Sequence, residues 1–297
     1  AAQVLDCNPY IDARIIQKRN EIDQKELDAF WKELGGGFDK AINLSGTIEG
    51  KLLKPEGSDE FNWTKERRHA ECNVNYIDYT MEVGGYPELK GLIPELYYSG
   101  QEHKWAKRFR SVRKDKFIIL WSLAGSGFHK IYPYTEYIAC EFLDKHEDAI
   151  ILTVGEEICK ILEWDHPRTE CLSGTMSIRK TLLLTQYADL VIGTETGVLN
   201  AASCYDTPKI ILLSHSSEEN LTKYWENVYN IYSPISCYPC HQLHYTNESC
   251  KLNSKLNSPL CMTQINPKLM LQKIEDVYMK WKIDALWNGT IALKEVA

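Results

Sequence analysis

The sequence contains no long hydrophobic run. Its best one, residues 117–123 (FIILWSL), suits a buried strand but falls far short of the roughly 20 apolar residues that a membrane-spanning helix needs. The first residues, AAQVLDCNPY, lack the basic and apolar regions of a secretory signal, and they also lack an initiator Met. The sequence therefore predicts at most peripheral membrane contact, and a chain that is a processed or truncated piece.

Positive charge and cysteine are both scarce. The 34 Lys and Arg are outnumbered by 41 Asp and Glu, which gives a formal net charge of −7 and argues against nucleic acid as a partner. Ten cysteines in 297 residues are too few for the disulfide framework of a small secreted protein. We therefore expect a cytoplasmic protein, either free or at the inner face of the membrane.

From Lys116 onward the sequence alternates between strand and helix patterns. Short apolar runs at Phe117–Ser122, Ala149–Val154, 190–192 and 209–214 predict strands that are buried on both faces. The helical patterns between them cover residues 135–146, 177–187 and 197–204. Strands that alternate with helices predict βαβ units and a parallel sheet, so the expected fold class is α/β.

The first 110 residues are less regular. Residues 38–44 are predicted to form a strand, and residues 48–53 and 73–83 to form helices. Because few strands are visible, residues 1–110 are expected to be part of a domain and residues 111–265 a complete one. The last segment, 266–297, begins a helix at Asn266-Pro267, since proline is favoured in the first turn after a capping residue.

Glycines and polar side chains follow the first predicted strand, at the end where an open parallel sheet binds its ligands. Gly125 and Gly127 allow a ligand to approach the backbone closely, Ser126 adds a hydroxyl, and Lys130 adds a positive charge. This composition is that of a phosphate-binding loop, and also that of an ordinary glycine-rich turn.

Acidic residues accompany the glycines after the next two apolar runs. Glu156, beside Gly155, could accept hydrogen bonds from a ribose diol, or could simply favour the first turn of a helix. Glu195, Thr196 and Gly197 lead directly into a helix whose free N–H groups would suit a diphosphate. Three such strand ends in succession predict a nucleotide site.

Residues 189–208 (DLVIGTETGVLNAASCYDTP) resemble the ADLVIG-x-D-T-G-x-x-H-x-A-A motif of glycosyltransferase family 9, the ADP-heptose:lipopolysaccharide heptosyltransferases and their relatives. Residues 122–133 (SLAGSGFHKIYP) are similar to the donor-phosphate loop of that family. Residues 152–156, 237–240 and 8–12 match further features of it. The resemblance spans nearly the whole chain.

The resemblance implies a GT-B fold, in which two Rossmann-like domains with parallel sheets face each other across a cleft, the N-terminal one being incomplete here. It implies that the C-terminal domain binds a nucleoside diphosphate sugar and that the last helix crosses back to the N-terminal domain. Carried over by position, the donor-binding residues are Ser126, Gly127, Lys130, Gly155, Glu156, Glu195, Thr196 and Gly197. No metal would be needed for transfer, because cationic side chains and helix N-termini stabilise a leaving diphosphate.

The sequence departs from the family in three ways. Glu195 stands where the family usually has Asp, and Asn200 stands where it usually has His, so the donor can differ from ADP-heptose. The first strand of the family and its Gly-Asp loop should precede Asn8-Pro9, and nothing in this sequence supplies them. That loop carries the Asp usually assigned as general base, so we predict no catalytic residue.

A basic segment in the first 110 residues could bind the acceptor. Trp63 could stack on a sugar face, and Arg67 and Arg68 could contact acidic groups of the acceptor. The alternative is an ordinary helix with a basic face.

Four cysteines cluster late in the chain. Cys237 and Cys240 have metal-ligand spacing, and Cys250 and Cys261 are looser partners. A structural zinc at these four positions, with His241 and His244 as alternative ligands, is one interpretation. Disulfides and free thiols are the others.

The sequence is therefore interpreted as that of an inverting glycosyltransferase. It would move a heptose-like or other sugar from a nucleoside diphosphate to a glycan or lipid-linked acceptor of the lipopolysaccharide type. Two alternatives stay open, a nucleotide-sugar epimerase of the same fold and a non-catalytic protein that binds sugar nucleotides. Epimerisation without an acceptor would favour the first alternative, and binding without transfer or hydrolysis would favour the second.

Overall fold

A six-stranded parallel sheet lies at the centre of the computed structural model, which describes residues 2–17, 21–23, 25–44, 59–242 and 250–287. The strands are β1 Phe117–Ser122, β2 Ala149–Val154, β3 Thr169–Cys171, β4 Leu190–Thr194, β5 Lys209–Leu212 and β6 Val228–Ile231. They lie in the order β3-β2-β1-β4-β5-β6, and every neighbouring pair is parallel. The direction of winding therefore reverses between β1 and β4, where sheets of this type bind ligands.

Nine α-helices surround the sheet within the described residues. They are α1 Leu27–Gly35, α2 Lys65–Cys72, α3 Tyr76–Val83, α4 Gly100–Ser111, α5 Thr135–Lys145, α6 Ile178–Leu184, α7 Gly197–Ala202, α8 Leu260–Thr263 and α9 Pro267–Trp287. Short 3₁₀ turns occupy Ala2–Leu5, Asp59–Asn62, Phe128–Lys130 and Glu157–Leu162. No helix in the described ranges has the length and apolar character to span a membrane.

Two apolar cores cover the two faces of the sheet. Every residue of β1, β2, β4 and β5 is buried, because successive side chains of a strand point to opposite faces and both faces are covered by helices. Phe117 packs with Phe142 of α5 and with Tyr278 of α9 on one face. Ile118 packs in the core on the other face, together with Leu199 of α7.

The α/β class and the parallel sheet predicted from the sequence are confirmed. The four strands that the apolar runs predict are present, and so are the helices α5, α6 and α7 between them. Neither β3 nor β6 was predicted from the apolar pattern. Thr169–Cys171 is a three-residue edge strand with no apolar run, and Val228–Ile231 is mostly half-buried at the other edge.

The strand predicted for residues 38–44 is wrong. Phe38, Ile42 and Leu44 are all exposed, and this segment is paired with no strand among the described residues. A single strand without a sheet cannot bury its apolar side chains, so the local pattern alone was insufficient. The described residues before Phe117 contain helices and turns only.

Of the two helices predicted in this region, one lies outside the described residues, at 48–53. The helix predicted for residues 73–83 is confirmed as α3, but it begins at Tyr76. The side chain of Asn75 caps it by accepting hydrogen bonds from the backbone N–H groups of Ile77 and Asp78. The domain limits 1–110, 111–265 and 266–297 stay predictions.

Arg179 on α6 joins the beginning of the chain to the sheet. Its guanidinium donates to the Glu102 carboxylate of α4 at 2.6 and 2.8 Å. It also donates to the backbone carbonyl groups of Gln3, Asp6 and Tyr97 at 2.9–3.1 Å. The hydrogen bond from Arg179 lowers the pKa of Glu102 to about 2, so this ion pair is formed at neutral pH.

Candidate functional site

The loops that follow β1 and β4 meet at the carboxyl edge of the sheet. A Cβ atom at Gly125 would overlap the Cδ atom of Lys130 and would lie 3.4 Å from the Cγ2 atom of Thr196. The hydroxyls of Ser122 and Thr196 are 3.3 Å apart. The space beside Gly125 is thus filled by its neighbours, and the structure brings the loop at 122–130 against Thr196, which lies 66 residues or more further along the chain.

Lys130 points inward in this arrangement. Its side chain is 6% exposed, and its Nζ donates to the backbone carbonyl of Glu195 at 2.8 Å. Burial lowers the pKa of Lys130, since the charged ammonium loses its hydration. In the same loop Ser126 is exposed and Gly127 is half-buried. The loop therefore presents a hydroxyl to solvent and keeps a cation close behind it.

Thr196 and Gly197 form the start of α7. The hydroxyl of Thr196 accepts a hydrogen bond from the backbone N–H of Leu199 at 3.4 Å, which caps the helix. Gly197 is exposed, and a Cβ atom there would meet nothing within 4 Å. The backbone at Gly197 is therefore open to a ligand.

The Glu195 side chain is buried, at 8% exposure. One carboxylate oxygen accepts from the backbone N–H groups of Ser214, His215 and Ser216 at 2.6–3.2 Å. The other accepts from the Ser214 hydroxyl at 2.7 Å. Burial acts to raise the pKa of Glu195, but the hydrogen bond from the Ser214 hydroxyl and the charge of Lys130 act against it, and this pKa lies below its usual value. Glu195 is thus ionised at neutral pH and is bonded to the loop after β5.

Gly155 and Glu156 lie after β2, on the side of β1 opposite to β4. A Cβ atom at Gly155 would lie 2.5 Å from the Sγ atom of Cys159, so glycine is again required by packing. Glu156 is exposed, and two isoleucines in the following turn, Ile158 and Ile161, are 67% and 76% exposed. This part of the edge presents a carboxylate beside apolar surface.

A cavity of about 400 Å³ lies between α2 and the loops after β1 and β5. His129 and His215 contribute to its lining from the sheet side, and Lys65 and Arg68 from α2. Burial lowers the pKa of His215 to about 3, so its imidazole is neutral at pH 7. Sequence reasoning missed His215, although it directly follows the apolar run at 209–214, where a fourth strand-end loop could have been examined.

The three residues assigned to the acceptor side separate into two roles. Arg67 is exposed and lies over the ring of Trp63, 4.8 Å from its centroid. Arg68 is 2% exposed and donates to the backbone carbonyl groups of Trp63 and Cys240 at 2.6 and 3.1 Å. Arg68 thus links α2 to the cysteine-containing segment, whereas Arg67 is exposed above the half-buried ring of Trp63.

The four clustered cysteines, Cys237, Cys240, Cys250 and Cys261, all line the cavity, and none forms a disulfide. Burial raises the pKa of the Cys240 and Cys261 thiols to about 12, so both are protonated at neutral pH. In the part of the chain that the structure describes, no three His, Cys, Asp or Glu side chains are arranged to hold a metal ion. His244 lies outside that part. The structural zinc stays a prediction.

No protein-family model and no curated protein matches the sequence. Solved structures are similar in fold. Escherichia coli ADP-heptose lipopolysaccharide heptosyltransferase II is 14% identical over 70% of this chain and 63% of its own, with a TM-score of 0.52. The glycosyl transferase family 9 protein from Veillonella parvula is 10% identical over 70% of this chain and 60% of its own, with a TM-score of 0.50.

The chain therefore spans less than two thirds of either structure. The similarity confirms the resemblance in fold to family 9 and the α/β architecture of that type, while the described residues form one parallel sheet and contain no strand of a second sheet before Phe117.

Proposed function

We propose that the chain is a glycosyltransferase whose carboxyl edge binds the diphosphate of a nucleoside diphosphate sugar. The observation that carries the proposal is the meeting of Gly125, Lys130 and Thr196 between β1 and β4. This is the point at which an open parallel sheet binds nucleotides. The fold shared with heptosyltransferases supports the same conclusion.

The chemistry of this edge favours an anion. The buried ammonium of Lys130 has one carbonyl acceptor among the described residues, although it carries three N–H donors. Phosphate oxygens would provide stronger, charge-assisted acceptors for it. The exposed Ser126 hydroxyl and the open backbone at Gly197 add donors on the solvent side. Glu156, farther along the edge, is proposed to accept from the ribose hydroxyls.

In the proposed reaction an acceptor hydroxyl attacks the anomeric carbon on the face opposite to the diphosphate. The bond to the diphosphate oxygen breaks, so the configuration inverts. Lys130 and the donors at Ser126 and Gly197 would stabilise the negative charge that develops on the leaving group, without a metal. We propose a heptose-like or other sugar as donor and a glycan or lipopolysaccharide-type acceptor, which Trp63 and Arg67 could contact.

The proposal predicts that Lys130→Ala weakens the binding of ADP. The loss should be at least tenfold, or about 1.4 kcal/mol, because the variant removes the one cation of the donor loop. Isothermal titration calorimetry with ADP, and with UDP and GDP to identify the base, measures it. Lys145→Ala is the matched control, since Lys145 is exposed on α5 and is paired with Glu141.

If Lys130→Ala and the natural chain bind ADP with the same affinity, the assignment of Lys130 to the donor loop is wrong. Incubation with a nucleoside diphosphate sugar separates the alternatives. Release of the diphosphate together with a glycosylated acceptor supports the transferase. Conversion of the sugar without an acceptor favours the epimerase, and binding with no chemical change favours the non-catalytic protein.

A further inference from the structure

Glu195 connects three loops of the carboxyl edge. Its own loop follows β4, its backbone carbonyl accepts from Lys130 in the loop after β1, and its carboxylate accepts from Ser214–Ser216 after β5. The first two of these loops carry residues of the proposed diphosphate site. The geometry of that site therefore depends on Glu195.

The backbone of residues 214–216 needs the carboxylate. Ser214, His215 and Ser216 are all buried, and their N–H groups converge on one oxygen of Glu195. Buried N–H groups without an acceptor are strongly disfavoured, so Glu195 satisfies three donors of this turn. An aspartate would be shorter by one carbon–carbon bond, about 1.5 Å, and could not reach them from the same backbone position. The extra methylene of glutamate thus has a structural use at this position.

The same hydrogen bonds argue against direct contact with a ligand. A carboxylate offers about four lone-pair positions. The side chain of Glu195 already accepts four hydrogen bonds, three from backbone N–H groups and one from the Ser214 hydroxyl. Oε1 takes three of these bonds and Oε2 takes one, and the whole side chain is only 8% exposed, so little of the carboxylate is accessible to a sugar hydroxyl.

We propose that Glu195 is a positioning residue for the donor: its carboxylate holds the loop after β5, which keeps its backbone carbonyl in place for Lys130 of the loop after β1, and its side chain does not touch the donor sugar. This inference rests on the proposed function in so far as it concerns the donor. The holding of residues 214–216 is independent of that function.

The test compares Glu195→Gln and Glu195→Asp in the full chain, with ADP and ADP-glucose as probes. If Glu195 acts through the loops, both variants lose affinity for the two probes by the same factor, roughly tenfold, because ordering the loops affects the shared diphosphate. Amide hydrogen exchange at residues 214–216 should rise at least about tenfold in both variants. Retention of charge in Glu195→Asp should not restore affinity.

Glu141→Gln, a half-buried carboxylate on α5 that is paired with Lys145, is the control and should change neither measurement. If Glu195→Gln does not fold, Ser214→Ala serves instead, because it removes only the hydrogen bond to the second oxygen of Glu195. It should lower the affinity for both probes by the same, smaller factor. A loss confined to ADP-glucose would overturn the proposal, as would unchanged exchange at 214–216. If the natural chain binds no nucleoside diphosphate, the proposed function fails, while the exchange data still decide the role of Glu195.

Discussion

Three glycines at the carboxyl edge differ in what surrounds them. Gly125 and Gly155 have no room for a methyl group, because Lys130 and Cys159 occupy the space where Cβ would stand. Gly197 has open space around the same position. None of the three has a positive φ angle, so neighbouring atoms and not backbone conformation decide the effect of a substitution. The proposed site can therefore be tested with glycine-to-alanine substitutions, each of which adds one methyl group.

Gly125→Ala and Gly197→Ala should therefore differ in their effect on stability, although both should weaken ADP binding. The first should lower the free energy of unfolding by about 1–3 kcal/mol, because it overpacks the contact with Lys130, and it should weaken ADP binding as well. The second should change stability by less than about 0.5 kcal/mol but should still weaken ADP binding, since its methyl group would occupy the ligand side. Urea unfolding and calorimetry measure the two quantities. Equal effects of the two substitutions on the free energy of unfolding and on ADP affinity would contradict the assignment of Gly197 to the ligand side.

At the scale of elements, prediction from the sequence succeeded where one signal was sufficient. Continuous apolar runs identified β1, β2, β4 and β5, because strands covered on both faces carry that pattern. The run at 38–44 failed, since a strand also needs a partner, and the sequence of one segment does not state whether a partner exists. The same limit applies to Glu195. The sequence places Glu195 in a loop after a predicted strand. The groups that its carboxylate accepts from are N–H groups of another loop, nineteen to twenty-one residues further along the chain.

The contact between α6 and α4 should determine how firmly the beginning of the chain is held. Arg179→Met removes the ion pair with Glu102 and the donors to Gln3, Asp6 and Tyr97. We expect a loss of about 2–4 kcal/mol in the free energy of unfolding, because Glu102 and three carbonyl groups lose their partner. Amide exchange in Ala2–Leu5 should rise with it.

Urea unfolding and hydrogen exchange provide these two measurements. Arg108→Met, which changes an exposed arginine on α4, is the control and should move neither value. Exchange in Ala2–Leu5 that stays as slow in Arg179→Met as in the natural chain would mean that other contacts hold this turn.

The pH dependence of stability belongs to the whole molecule, because buried groups at both ends of the sheet contribute with opposite signs. Burial lowers the pKa of His215 from 6.5 to about 3, so the unfolded chain binds its proton first and acid removes stability from pH 6.5 downward. Burial raises the pKa of Asp189 from 3.8 to about 6, so this group adds stability over pH 6 to 3.8. Burial also lowers the pKa of His241 to about 4, so between pH 6 and 4 the two histidines remove stability and Asp189 offsets about half of the loss.

Asp189→Asn should therefore reveal the full effect of His215 and His241. The amide can still accept from the backbone N–H of Ile118, as Asp189 does at 2.7 Å, but it has no proton to bind. The free energy of unfolding of the variant should fall by about 2.8 kcal/mol per pH unit between pH 6 and 4, and that of the natural chain by about 1.4 kcal/mol per pH unit. Urea unfolding at several pH values measures both slopes. The same slope in the two proteins would contradict the pKa directions.

The two halves of the sheet, β3-β2-β1 and β4-β5-β6, are joined by a short pairing between β1 and β4. β1 and β4 are paired over three residues, whereas β1 and β2 are paired over six. At the carboxyl ends of β1 and β4, the loops that hold Gly125 and Thr196, one from each half, are in contact. A ligand bound to both loops would hold the two halves together, since separating the halves would first require release of the ligand. Nucleotide concentration would then set the mechanical strength of the domain, and its resistance to heat, through the stabilisation that any ligand of the folded state provides.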